Sequence, residues 1–129
     1  MQRFDNRAFD QMRQISILAG MCEYAAGSVL IAFGKTKVLC NVMLQHGVPQ
    51  FRRDKKGGWL TAEYSMMPSS TQMRTIREAS TQRRNSRSLE ISRLIGRVFR
   101  TVVDLDEIDQ KTIYIDCDVI QADGGTRTA

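Results

Sequence analysis

The stretch KTIYIDCDVIQADGGTRTA, Lys111 to Ala129, decides how the rest of the chain is read. Its first half alternates. Ile113, Ile115, Cys117 and Val119 fall on one side of an extended backbone, and Tyr114, Asp116, Asp118 and Ile120 on the other. That is a strand with one apolar face and one largely acidic face. Behind it, Gly124 and Gly125 allow a sharp turn and a close ligand approach, so consecutive N–H groups can point at one place. Asp123 or Thr126 would cap a following helix, whose N-terminus attracts anions, and Arg127 offers a planar fork to phosphate oxygens. Taken alone, DGGTRTA fits an ordinary strand-to-helix turn as well as an anion site.

Upstream, SRSLEISRLIGRVFRTVVD (Ser86 to Asp104) reads as a helix. Ile91, Leu94, Ile95, Val98 and Val102 form one apolar stripe, with Glu90, Arg93, Arg97 and Arg100 on the opposite side. Gly96 inside it costs about 1 kcal/mol against alanine, which points to close packing there. Arg87 stands where this helix begins, so a rigid element fixes its position.

Further upstream the pattern is extended. QISILAG (Gln14 to Gly20) is a short strand. Val29 to Phe33 and Val38 to Leu44 are apolar runs broken at Gly34-Lys35, a tight hairpin signal. FRRDKKGGW reads as a mobile basic loop, and Trp59 to Met66 as another strand ended by Pro68. FGKTK (Phe33 to Lys37) carries the ending of a phosphate loop. Val29 stands where that motif needs glycine, and a strand follows where it needs a helix, so a hairpin turn is the better account. The order β, β, β, β, α, β predicts an α+β domain, a mixed or antiparallel sheet backed by a helix.

With 129 residues the chain is one domain or part of one. Its 42% apolar and 26% charged residues fit a globular protein, and a net charge of +5 favours an anionic partner, nucleic acid ahead of membrane. Arg74 to Arg100 holds eight arginines against Glu78 and Glu90, whereas Asp104 to Asp123 holds seven acids against Lys111. Two solvated faces, or a phosphate-gripping side and a metal- or partner-holding side, both satisfy that polarity. Cys22, Cys40 and Cys117 are widely spaced, which fits reduced thiols, and His46 is the only histidine, so no metal cage is signalled. No signal-like or membrane-length apolar run is present, so the expected address is the cytoplasm.

Together, DQMRQISI, YAAGSVLIAFGKTKVLCNVMLQHGVPQF, GWLTAEYSMMP, RSLEISRLIGRVFRTVVDL and TIYIDCDVIQADGGTRTA resemble the ribonuclease PH family of phosphorolytic 3′-to-5′ exoribonucleases. The likeness runs from Arg3 to Ala129. It implies a ribosomal protein S5 domain 2-like fold, with residues 1–129 as the N-terminal part of a single domain. It also implies a chemistry: inorganic phosphate attacks the last phosphodiester of an RNA 3′ end and releases a nucleoside diphosphate. Transfer-RNA precursors are the implied substrates, with ribosomal RNA processing a second setting. By motif, Arg87 with Gly125, Thr126 and Arg127 would hold the attacking phosphate, and Arg74 and Arg77 match arginines of ring assembly or RNA contact. Hexameric rings and magnesium are implied for the complete enzyme.

The resemblance places the catalytic aspartates in a C-terminal half that follows this segment, so no catalytic or metal residue is assigned here. Activity is then expected only with that half, in one product or as a separate chain. The rival expectations are a non-catalytic RNA-binding or ring-assembly subunit, and an inactive truncated remnant. Two departures stand out. Ser69 replaces the usual arginine after Pro68, and Phe4 and Asn6 replace the proline and glycine of the usual RPDGR start.

Overall fold

The computed structural model describes residues 3, 5–83, 85–124 and 128–129. Five strands, β1 (Ile15–Ala19), β2 (Gly27–Phe33), β3 (Thr36–His46), β4 (Trp59–Met66) and β5 (Lys111–Gln121), form one sheet in the order β1-β2-β3-β5-β4. The pairs β1-β2, β2-β3 and β3-β5 are antiparallel, and β4-β5 is parallel, so the sheet is mixed. A parallel neighbour requires a crossover, and α1 (Ser86–Val102) supplies it between β4 and β5.

Each boundary has a local cause. The β2–β3 turn is two residues long, Phe33 facing Thr36, and Gly34 takes φ +59. A glycine with positive φ at the first turn position suits the right-handed twist of a hairpin. Asn6 likewise sits at φ 58, a left-handed backbone that asparagine tolerates better than most residues. Before β4, Gly58 lies against the 105–111 connection, where a Cβ would stand 2.6 Å from Ile108 Cγ2.

The core is Val38, Leu60, Ala62, Ile91, Ile95, Ile115, Cys117 and Val119. Residue alternation along β5 holds as read, with Ile115, Cys117 and Val119 buried on the helix-facing side. All three cysteines are free. Cys40 faces Cys117 across the β3–β5 ladder; the hydrogen bond between them, and then burial, push the Cys117 thiol up, so it stays protonated.

Two expectations need correction. The helix does not bury its whole apolar stripe. Ser88, Ile91, Ile95 and Gly96 are buried, while Leu94 is 52% and Val102 74% exposed. A small residue helps decide which arc touches the sheet: at Gly96 the helix approaches β4, where a Cβ would stand 3.9 Å from the Ala62 backbone nitrogen. Arg100 is not on the solvent side either. Its Nε donates to the Leu60 carbonyl at 2.9 Å, and its guanidinium lies 4.5 Å from the Trp59 ring centroid. The space exists because Gly96 has no Cβ, which would stand 2.7 Å from the Arg100 guanidinium.

The basic FRRDKKGGW segment is tethered at several of its backbone carbonyls. Arg52 donates to the carbonyls of Lys56 and Gly58 at 3.2 and 3.1 Å, and Gln110 Nε2 donates to those of Lys55 and Gly57 at 3.1 and 3.0 Å. Among the described residues, no helix is long and apolar enough to cross a membrane.

Candidate phosphate-binding site

Arg87 occupies the first turn of α1, and the cap that starts the helix also fixes its place. Asn85 Oδ1 accepts from the Arg87 backbone N–H at 3.0 Å, satisfying a donor that has no partner within the helix. Next to it, Ser88 Oγ donates to the Glu78 carboxylate, tying the preceding loop to the same turn. Asn85→Ala is expected to lower stability by about 1 kcal/mol in urea denaturation, with Asn85→Asp close to wild type.

At the far end of β5 the chain enters its glycine turn, with Gly124 at φ +71. Two anchors hold the entrance. The Ala122 N–H donates to the Ser70 carbonyl at 2.8 Å, and the Asp123 N–H to Thr36 Oγ1 at 3.2 Å. Arg87 and Gly124, 37 positions apart in sequence, line one cavity of about 230 Å³ with Thr36, Tyr64, Met66 and Ala122. The β4-α1-β5 crossover brings them together, because it returns the chain to the sheet beside the strand it left.

Gly125, Thr126 and Arg127, the other residues expected to hold phosphate, lie outside the described residues. Arg74 and Arg77 are placed elsewhere. They line a separate cleft of about 530 Å³ with Pro68, Ser69 and Thr71. Ser69, the departure from the family pattern, therefore belongs to that cleft.

Tyr64 and Thr36 are site residues that sequence reading missed. Alternation along β4 places Tyr64 with Leu60, Ala62 and Met66, and that periodicity was the available signal for a polar-tipped aromatic on the apolar side. Burial pushes its phenol up, and the Arg87 positive charge partly opposes this. Thr36 is 2% exposed. Nothing in FGKTK shows that its hydroxyl accepts a hydrogen bond from residue 123.

The other sheet face carries Glu63, Asp116 and Asp118, with Ser65 Oγ donating to Asp118 at 2.7 Å. Burial, then the charges of Glu63 and Asp118, raise the Asp116 carboxyl above its usual range. A carboxyl raised on folding favours the fold when protonated. That contribution is present below the unfolded pKa and is lost as pH rises through the folded one. Asp116→Asn is therefore expected to stabilise at pH 7 by a few tenths to about 1 kcal/mol, the scale of cross-strand like-charge repulsion. Denaturation midpoints should show that gain shrinking as pH falls through the carboxylate range. Among the described residues, no group of three or more His, Cys, Asp or Glu converges on a metal position.

An arginine at a helix start, sharing a cavity with Ala122 and Gly124, can neutralise and orient a small oxyanion. Comparison with known proteins narrows that chemistry. Residues 11–129 match the family model RNase_PH, described as "3' exoribonuclease family, domain 1". A Ribonuclease PH of Bacillus pumilus (strain SAFR-032) is 55% identical over 127 residues, 98% of this chain and 52% of its own length. One from Syntrophomonas wolfei is 54% identical over 129 residues, 100% of this chain and 54% of its own. The chain thus spans about half the length of the curated relatives it matches. Among solved structures, the Archaeoglobus fulgidus exosome "with RNA bound to the active site" aligns with TM-score 0.78 at 25% identity, covering 95% of this chain and 49% of that one. Rice (Oryza sativa) Rrp46 aligns with TM-score 0.76 at 20% identity, over 96% of this chain and 54% of its own, which speaks to the fold alone.

Proposed function

We propose, for a chain that belongs to the RNase_PH 3′ exoribonuclease family, that the Arg87 cavity holds the inorganic phosphate that attacks an RNA 3′ end. The phosphate oxygen forms a bond to the terminal phosphorus. The bond from that phosphorus to the 3′ oxygen of the penultimate nucleotide breaks, releasing a nucleoside diphosphate and an RNA one nucleotide shorter. A multiply charged nucleophile must approach an anionic diester. Arg87 and Arg127, with backbone donors of the Gly125-Thr126 turn, offset the repulsion and fix the line of attack.

The observation that carries this reading is the single cavity shared by Arg87 and Gly124. An RNA substrate is supported by the related exosome solved with RNA at its active site. Transfer-RNA 3′ ends as the substrate, a hexameric ring and a cytoplasmic address complete the reading, with magnesium drawing its ligands from a second half of the enzyme. Such a half would also cover apolar surface now open to water. Ile17, Leu18 and Leu44 on the sheet and Leu94, Val98 and Val102 on α1 are each more than half exposed.

Mixing this chain with the remaining half of the B. pumilus relative, inorganic phosphate, magnesium and a transfer RNA with extra 3′ nucleotides tests the proposal. Nucleoside diphosphates that form only with phosphate support it. Absence of phosphate-dependent trimming overturns it. The separate cleft of Arg74 and Arg77 favours a second reading, a non-catalytic RNA-binding or ring-assembly subunit. RNA binding that survives combined Arg87→Ala and Arg127→Ala, without competition by phosphate, would select it.

A further inference from the structure

We infer that Arg13 is a positioning residue for the phosphate-binding turn, acting through Asp123 and braced on the β2–β3 hairpin. The inference rests on the proposed phosphate site and adds residues that the site reading does not use.

Arg13 precedes the edge strand β1, and its side chain spans 110 positions of sequence to reach the end of β5. Its Nη1 donates to the Asp123 carbonyl at 3.0 Å and lies 3.9 Å from the Asp123 carboxylate. The arginine is largely covered, with 20% of its side chain exposed, so this is not a loosely held surface pair. Its aliphatic stem crosses the hairpin turn at Gly34, where a Cβ would stand 3.3 Å from Arg13 Cδ. The Gly34 N–H donates to the Gln14 carbonyl at 2.8 Å, locking the turn to the residue after Arg13.

The same hairpin grips the end of β5 directly. Gln121 Nε2 donates to the Lys35 carbonyl at 2.7 Å, and Thr36 Oγ1 accepts the Asp123 N–H at 3.2 Å. Asp123 is thus held at its N–H and its carbonyl, with its carboxylate facing the same guanidinium. Fixing both sides of one residue sets the plane of the following peptide, which carries the Gly124 N–H. It thereby sets the direction in which the turn leaves the sheet. FGKTK, which fails as a phosphate loop, here steadies another one.

Anion sites work only when their donors are already aimed, and misplacement by about 1 Å can cost on the order of 100-fold in rate. Arg13→Ala should therefore raise the phosphate KM by roughly tenfold or more in the complemented enzyme, with the RNA KM unchanged. Arg13→Lys should recover part of the loss, because an ammonium still reaches a carbonyl and a carboxylate. Amide hydrogen exchange should quicken at Asp123 and Gly124 and stay unchanged in α1. Thr36→Val, which removes the acceptor while keeping the shape, should give the same pattern and serves if the arginine variant fails to fold.

A phosphate KM unmoved by Arg13→Ala in an active mixture overturns this inference alone. Equal loss of phosphate and RNA affinity, with exchange raised throughout the sheet, also overturns it by showing a merely structural role. An inert wild-type mixture would remove the functional reading and this inference together.

Discussion

Replacing Arg87 by alanine is expected to reduce kcat/KM for phosphate at least ~100-fold in the complemented enzyme, the scale of removing one charged stabiliser from a reacting centre. Arg87 lines the cavity, and its backbone N–H takes part in the helix cap, a contact that the substitution keeps. Arg87→Lys should fall between the two, since an ammonium keeps the charge but loses the bidentate fork. Initial rates with phosphate varied at saturating RNA would show the loss. A fall confined to RNA affinity would contradict the assignment.

The largest stability effect is expected at Leu60. The residue is 1% exposed and lies in β4, where the strand meets α1 on one side and β5 on the other. Truncation to alanine removes a filled volume from the core that includes Ile91, Ile95 and Ile115 and should cost roughly 3 kcal/mol. The surrounding residues have little freedom to close the gap, because the Leu60 carbonyl is pinned by Arg100, itself laid on Trp59. Urea denaturation should show a lower midpoint at unchanged slope. Ile17→Ala, at a residue 62% exposed, should move the isolated chain by no more than about 0.5 kcal/mol. A Leu60→Ala cost as small as that would place the core elsewhere.

These residues show how far local pattern carries. β4 was readable to its last residue, because Gly58 and Pro68 punctuate a run of β-formers. The hairpin was readable because Gly34 supplies the one backbone conformation it needs. The helix was readable in extent but not in orientation. Periodicity gives an apolar stripe, while the face that packs depends on Gly96 letting the backbone approach β4. Arg100 counted as a solvent residue because its partner, Trp59, lies 41 positions earlier, outside any local window.

The site divides the same way. Arg87 was legible as a charge on a rigid element, and Gly124 as a turn glycine at the end of β5. Their meeting depends on a parallel crossover, which periodicity alone does not specify. Thr36 and Arg13 had no readable signal at all. One acts through a buried hydroxyl and the other by reaching a backbone carbonyl, and both contacts exist only once the hairpin and the end of β5 are side by side.

The most direct test of the central claim, that Arg87 and the glycine turn form one phosphate site, is a titration of the isotope-labelled chain with inorganic phosphate followed by NMR. The account predicts that the Arg87 side-chain Nε–H and the Gly124 amide shift together with one dissociation constant, and that Arg87→Ala abolishes both responses. Shifts confined to Arg74 and Arg77, or none at Arg87 and Gly124, would contradict it.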